Sequence, residues 1–337
     1  MLLIDTVEMR QRQDDLDFRK YSKCGKWKKK DTDNIKKRFQ TFYPTDVCPI
    51  TVSAEDIFGD KFLRAVFSLP KFVSGNNVQP VSEADAAIAL ERISNLVSSY
   101  ADYEFDAANC EISRIDPFYT WTVADVLAYL DHAKLASYPR QYMRQIDRFK
   151  GVPSVYFGRR HYDEIYLYDK FAEMKKQGKA GEPYLEIARN QLRLERSICG
   201  EKVKKLFGNN KVKTVLDARK CQEIMVTTMK DLGFDKPFHG RTERFAALRR
   251  HCIENGFNKR KLKALFSTLN LIDEFETNNK RVLCEWMDES TYYSHKRELR
   301  KAGVWTSSAS RETLPSLTMP SSSDENGILE AEYIGYV

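Results

Sequence analysis

The sequence withholds the residues that soft-metal and redox chemistry need. Its 7 cysteines (Cys24, Cys48, Cys110, Cys199, Cys221, Cys252, Cys284) are scattered and odd in number. No CxxC pair and no Cys/His cluster occurs, which argues against zinc ligation and against a disulfide framework. The 5 histidines (His132, His161, His239, His251, His295) never form a His-hydrophobic-His triplet. No apolar run approaches the roughly 20 residues of a membrane span. The opening "MLLIDTVEMRQRQDD" meets Asp5 and Glu8 too early for a signal peptide. These absences point to a reducing, cytoplasmic setting and to no membrane partner.

What is present is a charge-rich, ordinary soluble balance: 337 residues, 42% hydrophobic and 31% charged, with a net charge of +7. The positive balance favours an anionic partner. Up to about Asn209, extended segments alternate with helices; beyond it, every segment has helical apolar spacing. Ser82 opens a helix with acids in its first turn, and Thr122 is placed to cap a second. "CPITVSAEDIFG" reads as strand, turn and helix start, and "CEISRIDPFY" as an extended run ended by Pro117. "SVYFG" and "EIYLY" flank "RRHYD", which predicts a β-hairpin with a charged loop. The fold class expected is α+β. An antiparallel sheet of two βα-type half-units carries helices on one face over residues 1–208. A helical region, 209–305, and a Ser/Thr/Pro-rich flexible tail, 306–337, follow.

Three extended segments carry the chemistry. In "EIYLYDK" one strand face gathers Glu164, Tyr166, Tyr168 and Lys170, while Ile165 and Leu167 point to the core. In "EISRIDPF", Arg114 and Asp116 share a face with Ile112, and Ser113 and Ile115 face away. In "QLRLERS", Arg193 and Glu195 share a face opposite Leu192 and Leu194. Taken singly these are cross-strand ion pairs on a solvated sheet. Taken together, Asp116 and Glu195 on one face repel unless a cation sits among them, and hard carboxylate oxygens suit Mg2+ or Mn2+. A divalent metal beside a tyrosine, with arginines and lysines around it, is what phosphodiester transfer to a phenol needs.

The order "ISRID", "YLYDKFAEM", "QLRLERSICGEKVKKLFG" resembles the replication initiators of filamentous phages, the gene-two proteins, and more distantly the Rep_trans initiators of rolling-circle plasmids. The resemblance extends over most of residues 1–305, from "MLLIDTV" through "DIFG" to "YYSHKRELRKAGVW". It implies an enzyme that nicks one strand at a replication origin through a tyrosine. The products are a 5′-phosphotyrosine and a free 3′-OH, and the same chemistry later rejoins the strand. Carried over residue by residue, it implies Tyr168 as nucleophile, Lys170 as its accompanying lysine, and Asp116 and Glu195 as ligands of a divalent metal. Tyr166, on the same face, is the rival nucleophile. Many rolling-circle nucleases use the His triplet that this chain lacks, so the metal site must be built from carboxylates.

The implied partner is origin DNA, single-stranded or supercoiled duplex. Arg114, Arg193, Arg159, Arg160, Arg144, Arg148, Lys28 and Lys29 are the candidate DNA contacts, with Trp27 and Phe149 among the interleaved aromatics. Host replication proteins and a second copy of the chain stay open as further partners. A phage-encoded chain would work in the host cytoplasm. The alternative is a DNA-binding replication regulator without nuclease activity, whose carboxylates are structural. A tyrosine recombinase fits less well: it relies on an Arg/His cluster with a tyrosine near the chain's end and needs no metal, whereas here Asp116 and Glu195 accompany Tyr168 in mid-chain.

Overall fold

Apolar and polar residues alternate in strand after strand, and the strands they make join into a single antiparallel sheet. The computed structural model describes residues 1–23, 27–29, 37–43, 49–134, 143–146, 151–178, 182–235, 241–275, 278–305 and 314–319. Its strands are β1 (Ile4–Arg12), β2 (Lys28–Lys29), β3 (Lys37–Tyr43), β4 (Ile50–Ile57), β5 (Asp60–Ser68), β6 (Glu111–Thr122), β7 (Met143–Ile146), β8 (Ser154–Arg159), β9 (Asp163–Asp169) and β10 (Gln191–Cys199). Their order across the sheet is β2-β3-β4-β5-β1-β6-β10-β9-β8-β7. The class is α+β, as the sequence suggests. The two strands that carry Asp116 and Glu195, β6 and β10, lie side by side near the middle.

One sheet face is apolar. Val7, Leu63, Ala65, Ile112, Ile115, Ile165, Leu167, Leu192 and Leu194 are all buried there, and each of the larger side chains gains about 1.5–3 kcal/mol of transfer free energy. Helix Glu83–Ala101 covers part of it with Ala86, Ala89, Ile93 and Val97. Its N-cap is Ser82, whose hydroxyl accepts from the Asp85 amide at 3.0 Å. Helices Val126–Ala133 and Ala218–Asp231 cover the rest. The same face holds a buried ion pair: Arg196 on β10 donates to both carboxylate oxygens of Asp163 on β9, at 2.8 and 2.7 Å. Thr228 accepts a third bond from Arg196 at 2.8 Å, and Lys202 lies 3.0 Å from Asp163.

Several local expectations are corrected. The cap of helix Val126–Ala133 is Asp125, not Thr122; Thr122 is still paired with Gln191 as the last residue of β6. β6 does not stop at Pro117 either. Proline lacks an N–H to donate, and the ladder accommodates it opposite Ile4, where β1 shifts register. No helix starts at "DIFG": Phe58 and Gly59 both have positive φ, 54° and 101°. That conformation makes the tight primed turn of a β-hairpin, and it joins β4 directly to β5.

The organisation also shifts. Val212, Val215, Cys221 and Ile224, with Met225, Met229 and Phe234, pack into the sheet's own core. Residues beyond Phe234 form a separate apolar cluster, built on Leu248, Leu265, Leu269, Ile272 and Leu299. The boundary expected at 209 therefore falls later. Within the expected flexible tail, residues 314–319 are docked: Leu317 is buried, its amide donates to the Phe234 carbonyl at 2.8 Å, and Trp121 Nε1 donates to the Thr318 carbonyl at 2.8 Å. The remainder of 306–337 lies outside the described residues. Helices are not confined to one face, because Lys170–Gln177 turns its buried Lys170 and Glu173 toward the polar side of the sheet. Among the described residues no helix is long and apolar enough to cross a membrane.

Candidate active site

The second face of the sheet is polar and, unlike a solvated surface, it is largely buried. Asp116 and Arg193 are 0% exposed, and Glu195 is 5% exposed. The alternation that sends Leu192, Leu194 and Ile198 into the core turns Arg193, Glu195 and Ser197 of β10 to this side. On β6 the phase is changed by a bulge. Glu8 pairs with Arg114 but Met9 pairs with Ile112, so Ser113 is the extra residue. Ile112 therefore joins Ile115 in the core rather than sharing the face of Arg114. Ser113 turns to the polar side, where its hydroxyl donates to Glu8 at 2.7 Å.

Around Tyr168 the groups interlock. Its hydroxyl donates to Glu195 Oε2 at 3.0 Å, diagonally across the β9–β10 ladder in which Tyr168 faces Arg193 and Tyr166 faces Glu195. Arg193 lies over the Phe118 ring, 3.6 Å from its centroid, a desolvated cation–π contact. It also donates to the Asn77 carbonyl and stands 3.7 Å from Asp5 and 3.8 Å from Glu195. Its Nε and Nη2 make no hydrogen bond among the described residues. Lys170 is not on the strand. Asp169 ends β9 and caps a helix whose first residue is Lys170, and the buried ammonium group donates to Asn77 Oδ1 and Glu173 Oε2, each at 2.9 Å.

The electrostatics follow from burial. Loss of water pushes the Asp116 carboxyl up to about 7; the Arg114 guanidinium opposes this and the neighbouring Glu195 adds to it. Arg114 holds Asp116 through Nε at 2.8 Å and through Nη2, and its side chain is 37% exposed. Burial raises the Tyr168 phenol well above its ordinary value, with the Glu195 charge next in weight and Arg193 opposing. Burial lowers Lys170 to about 8, aided by Arg193 and opposed by Glu173 and Asp5. For Asp5, burial would raise the carboxyl, but Arg193 and Lys170 together hold it below the usual carboxylate range. The cation that acts on the Tyr168 phenol is thus Arg193 rather than the accompanying Lys170.

Tyr166 differs in setting. It is half-buried, its ring 5.2 Å from that of Tyr156, and burial followed by the Glu164 charge raises its phenol.

Among the described residues no group of three or more His, Cys, Asp or Glu is arranged to hold a metal. The two-carboxylate set of Asp116 and Glu195, with one carboxyl pushed up to about 7 by burial, is still the kind of donor set Mg2+ accepts. That ion is commonly held by one or two carboxylates, with water and substrate phosphate completing its shell.

Asp116, Glu195, Tyr166, Tyr168, Lys170, Arg114 and Arg193 thus share one face. Arg159 and Arg160 sit exposed at the tip of the β8–β9 hairpin. Lys28 and Lys29 are exposed on β2, with six strands between them and β9, about 33 Å away at sheet spacing. Trp27 is buried against Tyr21, with ring centroids 4.3 Å apart, and serves the core rather than a base. The side chains of Arg144, Arg148 and Phe149 lie outside the described residues. Sequence reasoning missed Asp5, Asn77, Glu173 and Phe118. Asp5 carried a signal, a carboxylate inside the apolar "LLIDTV"; Asn77, on a loop, carried none.

Residues 54–218 match the family described as the N-terminal part of the phage gene-two replication-associated protein. Over that span the chain is similar to the gene-two replication proteins of filamentous phages. The span contains Asp116, Tyr168, Lys170 and Glu195; Asp5 precedes it and the helices from Arg241 onward follow it. No curated protein matches the chain.

Proposed function

We propose, with the likeness of residues 54–218 to replication-associated proteins as premise, that the chain starts rolling-circle replication by nicking one strand of origin DNA at Tyr168. The observation that carries the reading is the 3.0 Å hydrogen bond from Tyr168 to Glu195 within a buried cluster of perturbed acids and bases. A nucleophile bonded to a base that can take its proton is the recurring arrangement of covalent catalysis, and perturbed pKa values gather at such sites.

The step is a phosphoryl transfer. The Tyr168 oxygen forms a bond to phosphorus, the bond from phosphorus to the 3′ oxygen breaks, the phenolic proton passes to Glu195, and the departing oxygen takes a proton to become the 3′-OH. Rejoining is the reverse, so no nucleotide cofactor enters. Asp116 and Glu195 would hold Mg2+ or Mn2+, which supplies charge stabilisation on the phosphate when bound. Arg193 holds Tyr168 and Glu195 in one electrostatic frame and keeps two N–H groups for phosphate oxygens. Arg114, partly exposed, can leave Asp116 for a phosphate.

Tyr168 lies at the floor of the face, fully buried. Asn77, which bridges Lys170, Asp5 and Arg193, belongs to the segment that must shift for a phosphodiester to enter. Tyr166 needs no such movement, and its partial exposure supports the second reading, in which it is the nucleophile. The test is incubation with labelled single-stranded origin DNA and Mg2+, then denaturing gels. Tyr168→Phe should lose the covalent band while binding persists, and Tyr166→Phe should only slow it. A nucleotide mapped to Tyr166 would reverse the assignment. A parent chain that binds DNA yet forms no adduct would favour the non-catalytic regulator.

A further inference from the structure

The helices beyond Phe234 are no part of the nicking chemistry, yet one of them is built like a DNA reader. Helix Arg241–Glu254 is followed by a four-residue turn, and helix Lys259–Glu274 begins after it. The turn contains Gly256 at φ 62°, and the Phe257 amide donates back to the Cys252 carbonyl at 2.8 Å. A three- or four-residue turn with a glycine between two helices is the connection used by the helix-turn-helix motif, whose second helix enters the major groove of duplex DNA.

The second helix has the surface such a role demands. Leu265, Thr268, Leu269 and Ile272 are buried on one side, against Leu248 of the first helix and Leu299 of helix Glu289–Lys301. Thr268 is tied to His295 of that third helix at 2.7 Å, and Arg244 of the first pairs with Asp273. Before its last residue, the exposed Glu274, the exposed residues are Lys259, Arg260, Lys263, Ser267 and Asn270. At 100° per residue these five fall within an arc of about 100°, opposite the buried row. Each of the five is a hydrogen-bond donor; the acids Asp273 and Glu274 come only at the end of the helix, where Asp273 pairs with Arg244 and Glu274 closes the arc.

Local physics gives little reason for this pattern. Lys259, Arg260 and Lys261 occupy the first turn, where the helix dipole disfavours cations. Lys261 finds an aromatic partner over the Phe257 ring at 4.1 Å; Lys259, Arg260 and Lys263 stay in water. Local inconsistency of that sort is expected where function rather than folding selects the residues.

We infer that helix Lys259–Glu274 is the recognition helix of a duplex-DNA-binding module, with Lys259, Arg260 and Lys263 meeting phosphates or base edges of the major groove. The module would hold double-stranded DNA independently of the single strand processed at Tyr168.

The experiment titrates the full-length chain against a fluorescently labelled mixed-sequence duplex and against one of its single strands, across a salt series. Lys259→Ala/Lys263→Ala should weaken duplex binding roughly tenfold or more, and flatten the slope of log affinity on log salt by about 0.9 for each lost phosphate contact. Ser267→Glu, in the middle of the arc, should weaken it as well by repulsion. Lys213→Ala, which removes the same charge from the nuclease part, should not change the slope. Melting curves confirm that each variant is folded. Duplex affinity and salt slope unchanged in both arc variants would overturn the inference. Adduct formation on single-stranded DNA reads Tyr168 separately, so a parent chain that never forms an adduct refutes nicking without touching this result.

Discussion

Replacing Asp116 by asparagine isolates the cost of burying a carboxylate charge on the polar face. The carboxyl titrates at about 7 in the fold and near 4 in an unfolded chain. Between those values the folded chain holds more protons than the unfolded one, so this group's contribution falls as pH rises and is fully lost above about 7. Over about three pH units, at roughly 1.4 kcal/mol each, the loss is on the order of 4 kcal/mol. Asp116→Asn keeps an acceptor for Arg114 and stays neutral at every pH. Its stability should match the parent near pH 4 and exceed it increasingly toward pH 8, by up to that amount. Urea denaturation at several pH values measures the gap directly. Mg2+ should close it from the other side. Bound at 100 times its Kd, the ion would add about 2.7 kcal/mol to the parent and little to the variant. A parent that is equally stable at pH 5 and 8, or a variant less stable than the parent at pH 8, would refute the charge argument. Equal Mg2+ stabilisation of both would remove Asp116 from the metal site.

Glu195→Gln preserves an acceptor for the Tyr168 hydroxyl but cannot take its proton as a carboxylate can. The rate of covalent adduct formation should fall by about 10²–10⁴ with DNA binding retained; an unchanged rate would exclude Glu195 as the base. Gly158→Ala would place a Cβ 2.8 Å from Tyr156 Oη and 2.9 Å from both the Asp163 carbonyl oxygen and the Glu164 Cα. Two of these are backbone atoms that cannot yield, so melting should show a loss of about 1–3 kcal/mol. Leu317→Ala tests the docked segment: if its burial is intrinsic to the fold, stability should drop by about 2–5 kcal/mol. No change would mean that residues 314–319 contribute nothing.

The sequence made the sheet legible because period-two alternation is a local property. Ile165 and Leu167 against Tyr166 and Tyr168 reveal which residues share a face without any knowledge of neighbours. The same logic brought Asp116, Glu195 and the two tyrosines together, since three strands with one apolar face must expose the other in common. It failed where backbone geometry breaks the period. The bulge at Ser113 reversed the facing of Ile112, and Asp169, by capping a helix, carried Lys170 off the strand. Tertiary neighbours were invisible too: Asn77 reaches Lys170 across 93 residues of chain, and nothing in its own surroundings marks it. Burial was the largest omission. Alternation distinguishes two faces but does not say that the polar one is covered.

The ion pair between Asp163 and Arg196 gives the candidate site a ruler. Those two residues belong to the same adjacent strands as Tyr168 and Glu195, but project from the opposite face. A one-residue slip of β9 along β10 would turn the tyrosines inward and Asp163 outward, leaving Arg196 in the apolar core without its carboxylate. The pair penalises misalignment far more than it rewards alignment, so it acts as a proofreading element for the spacing between Tyr168 and Glu195. Replacing both residues by apolar side chains of similar volume should therefore leave melting nearly unchanged while lowering the fraction of molecules able to form the DNA adduct. Single replacement should do the opposite and cost about 3–5 kcal/mol outright. Stability and active fraction, which fall together in most damaged enzymes, would here come apart.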